Sequence, residues 1–221
     1  MHRIFKFLKR INFKTIYFNF RYLPFQQAIM FPILISIKVY LHKMLGKIVF
    51  ECDIRTGLVE IGWGKIGIFD NKYARSVWDV NGMVIFKGKT DIGYGSKISV
   101  GGNGILIFGK NFTIRAHSSI VAYKKIEFGN DCLLSWDILI MDTDFHHIMD
   151  KQGTVINEDL PIFVGNNIWI GCRNLILKGA SIPNNCVIGS NSLVNKKLEG
   201  VNCLYAGNPI RCVKSNITWG S

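Results

Sequence analysis

Six aliphatic residues stand at steps of six towards the end of this 221-residue chain: Val164, Ile170, Ile176, Ile182, Ile188 and Val194. Glycine follows three of them, at Gly165, Gly171 and Gly189, and small residues stand four places on at Ala180, Cys186 and Ser192. Upstream the same step recurs in shorter runs. Ile92 and Ile98 form one; Phe108, Ile114, Ile120 and Ile126 form another; Phe128, Leu134 and Ile140 form a third after a two-residue shift. A period of six fits neither the 3.6-residue turn of a helix nor the two-residue alternation of a strand. Gly165, Gly171, Gly179, Pro183, Gly189 and Gly200 would also break any helix drawn through the region. The period fits a short strand ending in a sharp corner. Three such units close a triangular coil with the aliphatic residue of each pointing inward, and coils stack at a strand spacing of about 4.8 Å. The stretches VGNN, PNN and IGSN place Gly and Asn at corners, where they tolerate the backbone a tight turn requires. The expected fold is therefore all-β, a parallel β-helix of hexapeptide repeats.

The repeat lapses between Ile140 and Val164. From Ile140 the next six-step positions are His146, Gln152 and Glu158, none of them aliphatic, and the pattern resumes only at Val164. Residues 141–163 are thus expected to leave the prism as a loop and return in register. That loop opens with DTDFHHI, which crowds Asp142, Asp144, His146 and His147 into seven residues. A loop on a rigid scaffold is a natural place for chemistry. By residue type the cluster fits a polar surface loop, a metal site or a histidine base. Metal binding is the weakest of these. Of His2, His42, His117, His146 and His147, only His117 and the adjacent pair fall in the repeat body, and consecutive side chains diverge. No CxxC pair or zinc-finger spacing occurs among the six cysteines, so no metal is expected.

The net charge of +12 is concentrated at one end: residues 1–50 carry nine Lys or Arg and no Asp or Glu. A nucleic-acid module would carry its charge on the folded body, so no nucleic-acid partner is expected. The basic segment is rich in Phe, Tyr, Ile and Leu, and its main apolar run, Ala28 to Ile37, is about half of what a membrane span needs. No small-residue cleavage site follows the first basic residues as a signal peptide requires. A cytoplasmic location with reduced thiols is expected. Two readings of the segment stand side by side. It caps the open first coil, or residues 1–45 make peripheral contact with the inner face of an anionic membrane. The expected layout is a basic, partly helical segment at 1–50, a β-helix at 51–215 with its loop at 141–163, and a tail at 216–221.

The stretch FVGNNIWIGCRNLILKGASIPNNCVIGSNSLVNKK followed by YAGNPIRCVK resembles the hexapeptide-repeat acyltransferases. SWDILIMDTDFHHI and NIWIG resemble in particular the bacterial sugar and polysaccharide O-acetyltransferases. The resemblance covers roughly residues 84–215. It implies a left-handed β-helix, a homotrimer, acetyl-CoA as donor and a sugar or glycan-precursor hydroxyl as acceptor. It implies His146 as general base, with His147 as a neighbour pointing elsewhere. Asp144 or Asp142 either orients the imidazole or only shapes the loop, and a carbonyl oxygen could serve the ring as well. An imidazole suits the task because a sugar hydroxyl must lose its proton as it attacks a thioester, and histidine titrates near neutrality. The resemblance also implies donor contacts at Trp169, Gly171, Cys172 and Ser190, with Lys196 and Arg211 near the CoA phosphates. On the acceptor side it suggests Arg115, His117, Trp136, Asp137 and Asp142. A different acceptor, such as serine or an antibiotic, and a catalytically silent scaffold are the alternatives.

Overall fold

The computed structural model describes residues 10–220. Residues 33–206 wind as a parallel β-helix with three faces, each strand pairing with the strand one coil away. The first face runs from Ile33–Ile35 through nine strands, the second from Val39–Met44 through seven, and the third from Lys47–Phe50 through six. Every pairing is parallel except the last, where Arg211–Lys214 turns back antiparallel on Leu204–Ala206. The left-handed β-helix class expected from the repeat and the resemblance is the fold of this chain.

The hexad residues form columns inside the prism. Ile92, Ile114, Leu134, Ile170 and Ile188 stack on the first face, and Ile98, Ile120, Ile140, Ile176 and Val194 on the second. All are buried. Phe86, Phe108 and Phe128 stack ring on ring in the third face's column. Burial of these side chains is the main source of stability, since each coil covers the last.

Coil length is not constant. Register partners lie 22 residues apart from Ile92 to Ile114, 20 from Ile114 to Leu134 and 18 from Ile170 to Ile188. One corner accounts for much of the variation. Between the second and third faces it takes residues 101–104 in one coil and only residues 123–124 in the next. The other corners are more regular. Asn111, Asp131, Asn167, Asn185 and Asn202 all have positive φ where the third face meets the first. The residue before three of these corners builds a ladder: the Asn130, Asn166 and Asn184 side-chain carbonyls accept from the Lys110, Asn130 and Asn166 amides at 2.7–2.8 Å. The Gly-Asn-Asn signature therefore supplies both the left-handed residue and the inter-coil bond. Its glycine is needed for room, because a Cβ at Gly165 would stand 2.5 Å from Asn184 Oδ1.

The first coil begins at Ile33, so the boundary expected at residue 51 falls inside the β-helix. Alternation in residues 33–50 is legible as strand, but their basic, aromatic composition masked it. Helix α1 (Phe13–Tyr22) lies across the open end of the first face. Asn12 caps it, its side-chain oxygen accepting from the Lys14 and Thr15 amides. Thr15, Phe18 and Asn19 are fully buried. The Asn19 amide donates to Ile33 O at 2.7 Å and accepts from Ile33 N at 3.2 Å. The Thr15 hydroxyl does the same for Ile35, at 3.2 and 3.0 Å. These side chains replace the missing neighbour strand and satisfy an edge that would otherwise be open. Phe18 packs edge-on to Trp78, whose indole N–H donates to Tyr22 Oη at 3.0 Å. Residues 1–9, with Arg3, Lys6 and Lys9, lie outside the described residues.

Candidate active site

The second face ends at Met141 and the third resumes at Ile162, so residues 142–161 form the excursion. Register is kept across it: Ile126 pairs with Ile162 and Ile140 with Ile176. A Met149–Val155 bridge folds its tip into a short hairpin. Asp142 anchors its start. The carboxylate is fully buried and accepts from the amides of Tyr123 at 2.7 Å and Lys124 at 3.0 Å, at the same corner one coil earlier. Burial raises its pKa above the usual carboxylate range, against the pull of those amides. With no exposed surface, Asp142 is not an acceptor contact. It fastens the loop to the prism.

Asp144 stands outside and is bound on one oxygen by Lys178 and, at 2.9 Å, by the Asn157 side-chain amide. The Lys178 hydrogen bond, with that of Asn157 second, holds its carboxyl below the ordinary range. Asn157 also donates to His146 O at 2.8 Å, and its side-chain carbonyl accepts from Ile148 N at 2.6 Å. Lys178 reaches Asn157 O at 2.6 Å. Asp144 is thus bound by Lys178 and Asn157, and through Asn157 it supports the loop backbone at His146. The rings of His146 and His147 are exposed. Phe145, at positive φ, sets its ring edge-on to Tyr123 at 4.9 Å. Lys178 and Asn157 were not singled out from the sequence, although the eighteen-residue step from Lys178 to Lys196 hints that both stand at this corner.

The other expected residues lie elsewhere on the prism. Arg115, Trp136 and Trp169 converge on the first face, where with Ser135 and Trp219 they line a cavity of about 300 Å³. Trp169 is anchored by an indole N–H to Ser135 Oγ contact of 3.2 Å. A neighbouring cavity of about 360 Å³ shares Arg115 and Trp219 and adds Asn111, Thr113, Asp131 and Asn167. Trp219 comes from the segment expected to be a plain tail. Its indole N–H donates to Asn167 O at 2.9 Å and its ring lies 6.2 Å from that of Trp169. A large aromatic in a terminal segment is costly to leave in water, and that was the signal to read.

His117 occupies a positive-φ corner where the first face meets the second, its ring stacked on Phe69 at 4.3 Å and edge-on to Tyr94 at 5.4 Å. Phe69 belongs to an insertion between Val59–Trp63 and Ser76–Val80, which covers this corner. His117 therefore packs beneath that insertion. Asp137 occupies the same corner one coil on, again at positive φ, and Arg173 and Asn191 follow it. Gly171 and Ser190 are close neighbours there: a Cβ on Gly171 would meet Ser190 Oγ at 2.7 Å. Cys172 Sγ lies 3.4 Å from the same hydroxyl. Lys196 follows the second face's last strand, at the loop's corner, and Arg211 begins the exposed antiparallel strand. One face of the prism therefore separates the histidine loop from the Gly171–Cys172–Ser190 corner. Within one protomer they do not meet.

No family model matches the chain. The galactoside O-acetyltransferase of Escherichia coli (strain K12) is 33% identical over 123 residues, which is 55% of each protein. The polysialic acid O-acetyltransferase of Neisseria meningitidis is 42% identical over 97 residues, 43% of this chain and 45% of that one. In fold, the polySia-specific acetyltransferase NeuO matches with a TM-score of 0.54 at 24% identity, over 86% of this chain and 79% of its own. A hexapeptide-repeat-containing acetyltransferase of Vibrio cholerae, complexed with acetyl coenzyme A, matches with a TM-score of 0.50 at 21% identity, over 60% of this chain and 70% of its own. The chain resembles the hexapeptide-repeat O-acetyltransferases. The match spans about half the length of these two curated relatives.

Proposed function

We propose that this chain transfers acetyl from acetyl-CoA to a hydroxyl of a sugar or surface-glycan precursor, with His146 as the general base. The observation that carries the reading is the excursion of residues 142–161 from the β-helix. Its register is held on both sides, and it presents His146 from a loop tied down by Asp142, Asp144, Asn157 and Lys178. A scaffold gains nothing from such a break. The sequence relatives named for O-acetyl transfer to galactoside and polysialic acid support the reaction class, and the Vibrio cholerae neighbour supports the donor.

In this mechanism the acceptor hydroxyl approaches the thioester carbonyl with its O–H donating to the His146 imidazole. The oxygen bonds to the carbonyl carbon as the proton passes to the ring. The tetrahedral intermediate collapses, the carbon–sulfur bond breaks, and the thiolate recovers the proton from the imidazolium. Trp169, the Gly171–Cys172 backbone and Ser190 hold the pantetheine end, a backbone N–H at Cys172 serves the oxyanion, and Lys196 and Arg211 meet the phosphates. The two adjoining first-face cavities, one lined by Trp136 and Trp169, the other by Asp131, and both by Arg115, suit a saccharide, since indole planes cover sugar C–H faces while charged groups take its polar substituents.

Because the loop and the first face are apart in one protomer, the complete site needs a second copy. We infer a homotrimer in which the loop of one copy meets the first face of the next. The reaction is tested by incubating the purified chain with acetyl-CoA and a panel of nucleotide sugars and oligosaccharides, following release of free thiol and the product mass. Acceptor-dependent thiol release with an alkali-labile acetyl ester is expected. Transfer only to amines, or to no saccharide, would contradict the proposal.

A further inference from the structure

Helix α1 inverts the usual amphipathic arrangement. The stripe it buries, Thr15, Phe18, Asn19 and Tyr22, is half polar, because it must satisfy the edge of the first strand. The stripe it shows to solvent is mainly apolar: Phe13, Ile16, Tyr17 and Phe20, again at spacings of three and four, with exposed Arg21 at its end. Phe13 is 67% exposed and Tyr17 57%. A surface helix normally directs its polar residues outward. The patch continues into Phe25, 69% exposed, whose ring lies 5.9 Å from that of Phe20. Between α1 and the strand carrying Tyr40 and Leu41 runs an apolar groove of about 590 Å³, larger than either first-face cavity.

The rim of this patch is cationic. Arg75 stacks over Tyr40 at 4.4 Å. Arg21 lies on the helix itself, and Lys14 donates to Ile37 O and Val39 O at 2.7 and 2.6 Å. A second cavity, of about 580 Å³ at the same end, is lined by Arg10, Lys38 and Lys65. Of the neighbouring carboxylates, Glu60 pairs with Arg10 and Asp79 lies 3.4 Å from His42. The first 50 residues contain no carboxylate side chain, and the nine preceding α1's approach add Arg3, Lys6 and Lys9.

We propose that this capped end of the β-helix docks on an anionic lipid surface, with Phe13, Ile16, Tyr17 and Phe20 entering the acyl boundary and the surrounding Lys and Arg facing headgroup phosphates. A second copy of the chain is a poorer occupant, because pairing one cationic face with another sets like charges together. A short helix lying in the membrane plane, apolar side down and basic residues at its flanks, is the geometry such binding uses. Among the described residues no helix is long and apolar enough to cross a membrane, so the contact is peripheral.

The test is flotation of the full chain with vesicles of phosphatidylcholine alone and of phosphatidylcholine with phosphatidylglycerol. At low salt the bound fraction on phosphatidylglycerol vesicles is expected to exceed that on neutral ones by at least about tenfold, which two or three cationic contacts provide. Raising the salt should reduce it. The double variant Tyr17→Ser, Phe20→Ser alters exposed side chains only. It should keep its unfolding midpoint and its mass in light scattering while losing vesicle binding by about tenfold or more. Three results would overturn the proposal: no flotation with phosphatidylglycerol vesicles, undiminished binding by the double variant, or a fall in the variant's mass, which would make this face an interface between copies. The assay does not use acetyl transfer and stands apart from the reaction proposed above.

Discussion

Asp142 and Asp144 are two residues apart in one motif and do different work. Asp142 is buried and bonded to two amides of the previous coil, whereas Asp144 is exposed and held by Lys178. A third carboxylate makes a measurable prediction. Asp91 pairs in register with Glu60 on the first face, and burial, followed by repulsion from Glu60, pushes its pKa up to about 6. A carboxyl that holds its proton longer when folded favours the native state at low pH. That contribution is fully present below about 4 and is lost as pH rises to about 6. Asp91→Asn should remove this slope and raise stability near pH 8 by on the order of 1–2 kcal/mol, read from urea unfolding at several pH values. At this scale the sequence was a partial guide. A histidine where the hexad should be aliphatic was visible as a break. The partners of Asp142 were not, because coils of 22, 20 and 18 residues put different neighbours beneath a given position, and only the corner insertions fix which. The surroundings of His117 were hidden for the same reason: nothing local indicates that Phe69 stacks on it.

Among the elements, the cap has the least ordinary chemistry, with two polar side chains standing in for a strand. Asn19→Leu would leave both the N–H and the C=O of Ile33 buried without partners. Each such group costs about 1–3 kcal/mol, so a loss of about 2–6 kcal/mol is expected in equilibrium unfolding. Thr15→Val keeps the shape and leaves the Ile35 N–H unpaired, while the Asn12 amide still donates to Ile35 O at 2.7 Å, and should cost about 1–3 kcal/mol. If neither substitution lowers stability, α1 does not close the sheet edge. The hexad elements were the most legible part of the chain, because a period of six has one ready structural solution. The first coil was hidden in aromatic, basic sequence, and the closing Trp219 contact lay beyond the repeat.

For the whole molecule, the separation of the histidine loop from the Trp169 face is the ground on which we propose a site shared between copies. Light scattering should give about three times the 25.0 kDa chain mass, and a fully active monomer would contradict the shared site. The central claim is acetyl transfer by a single base on the excursion. Its most direct test is the rate of acetyl-ester formation on a saccharide acceptor by the wild type and by His146→Ala and His147→Ala, with acetyl-CoA affinity measured alongside. His146→Ala should lower turnover by about two to four orders of magnitude, the usual worth of a general base, with acetyl-CoA affinity nearly unchanged and His147→Ala much milder. Full turnover in His146→Ala, or the larger loss in His147→Ala, would contradict the assignment.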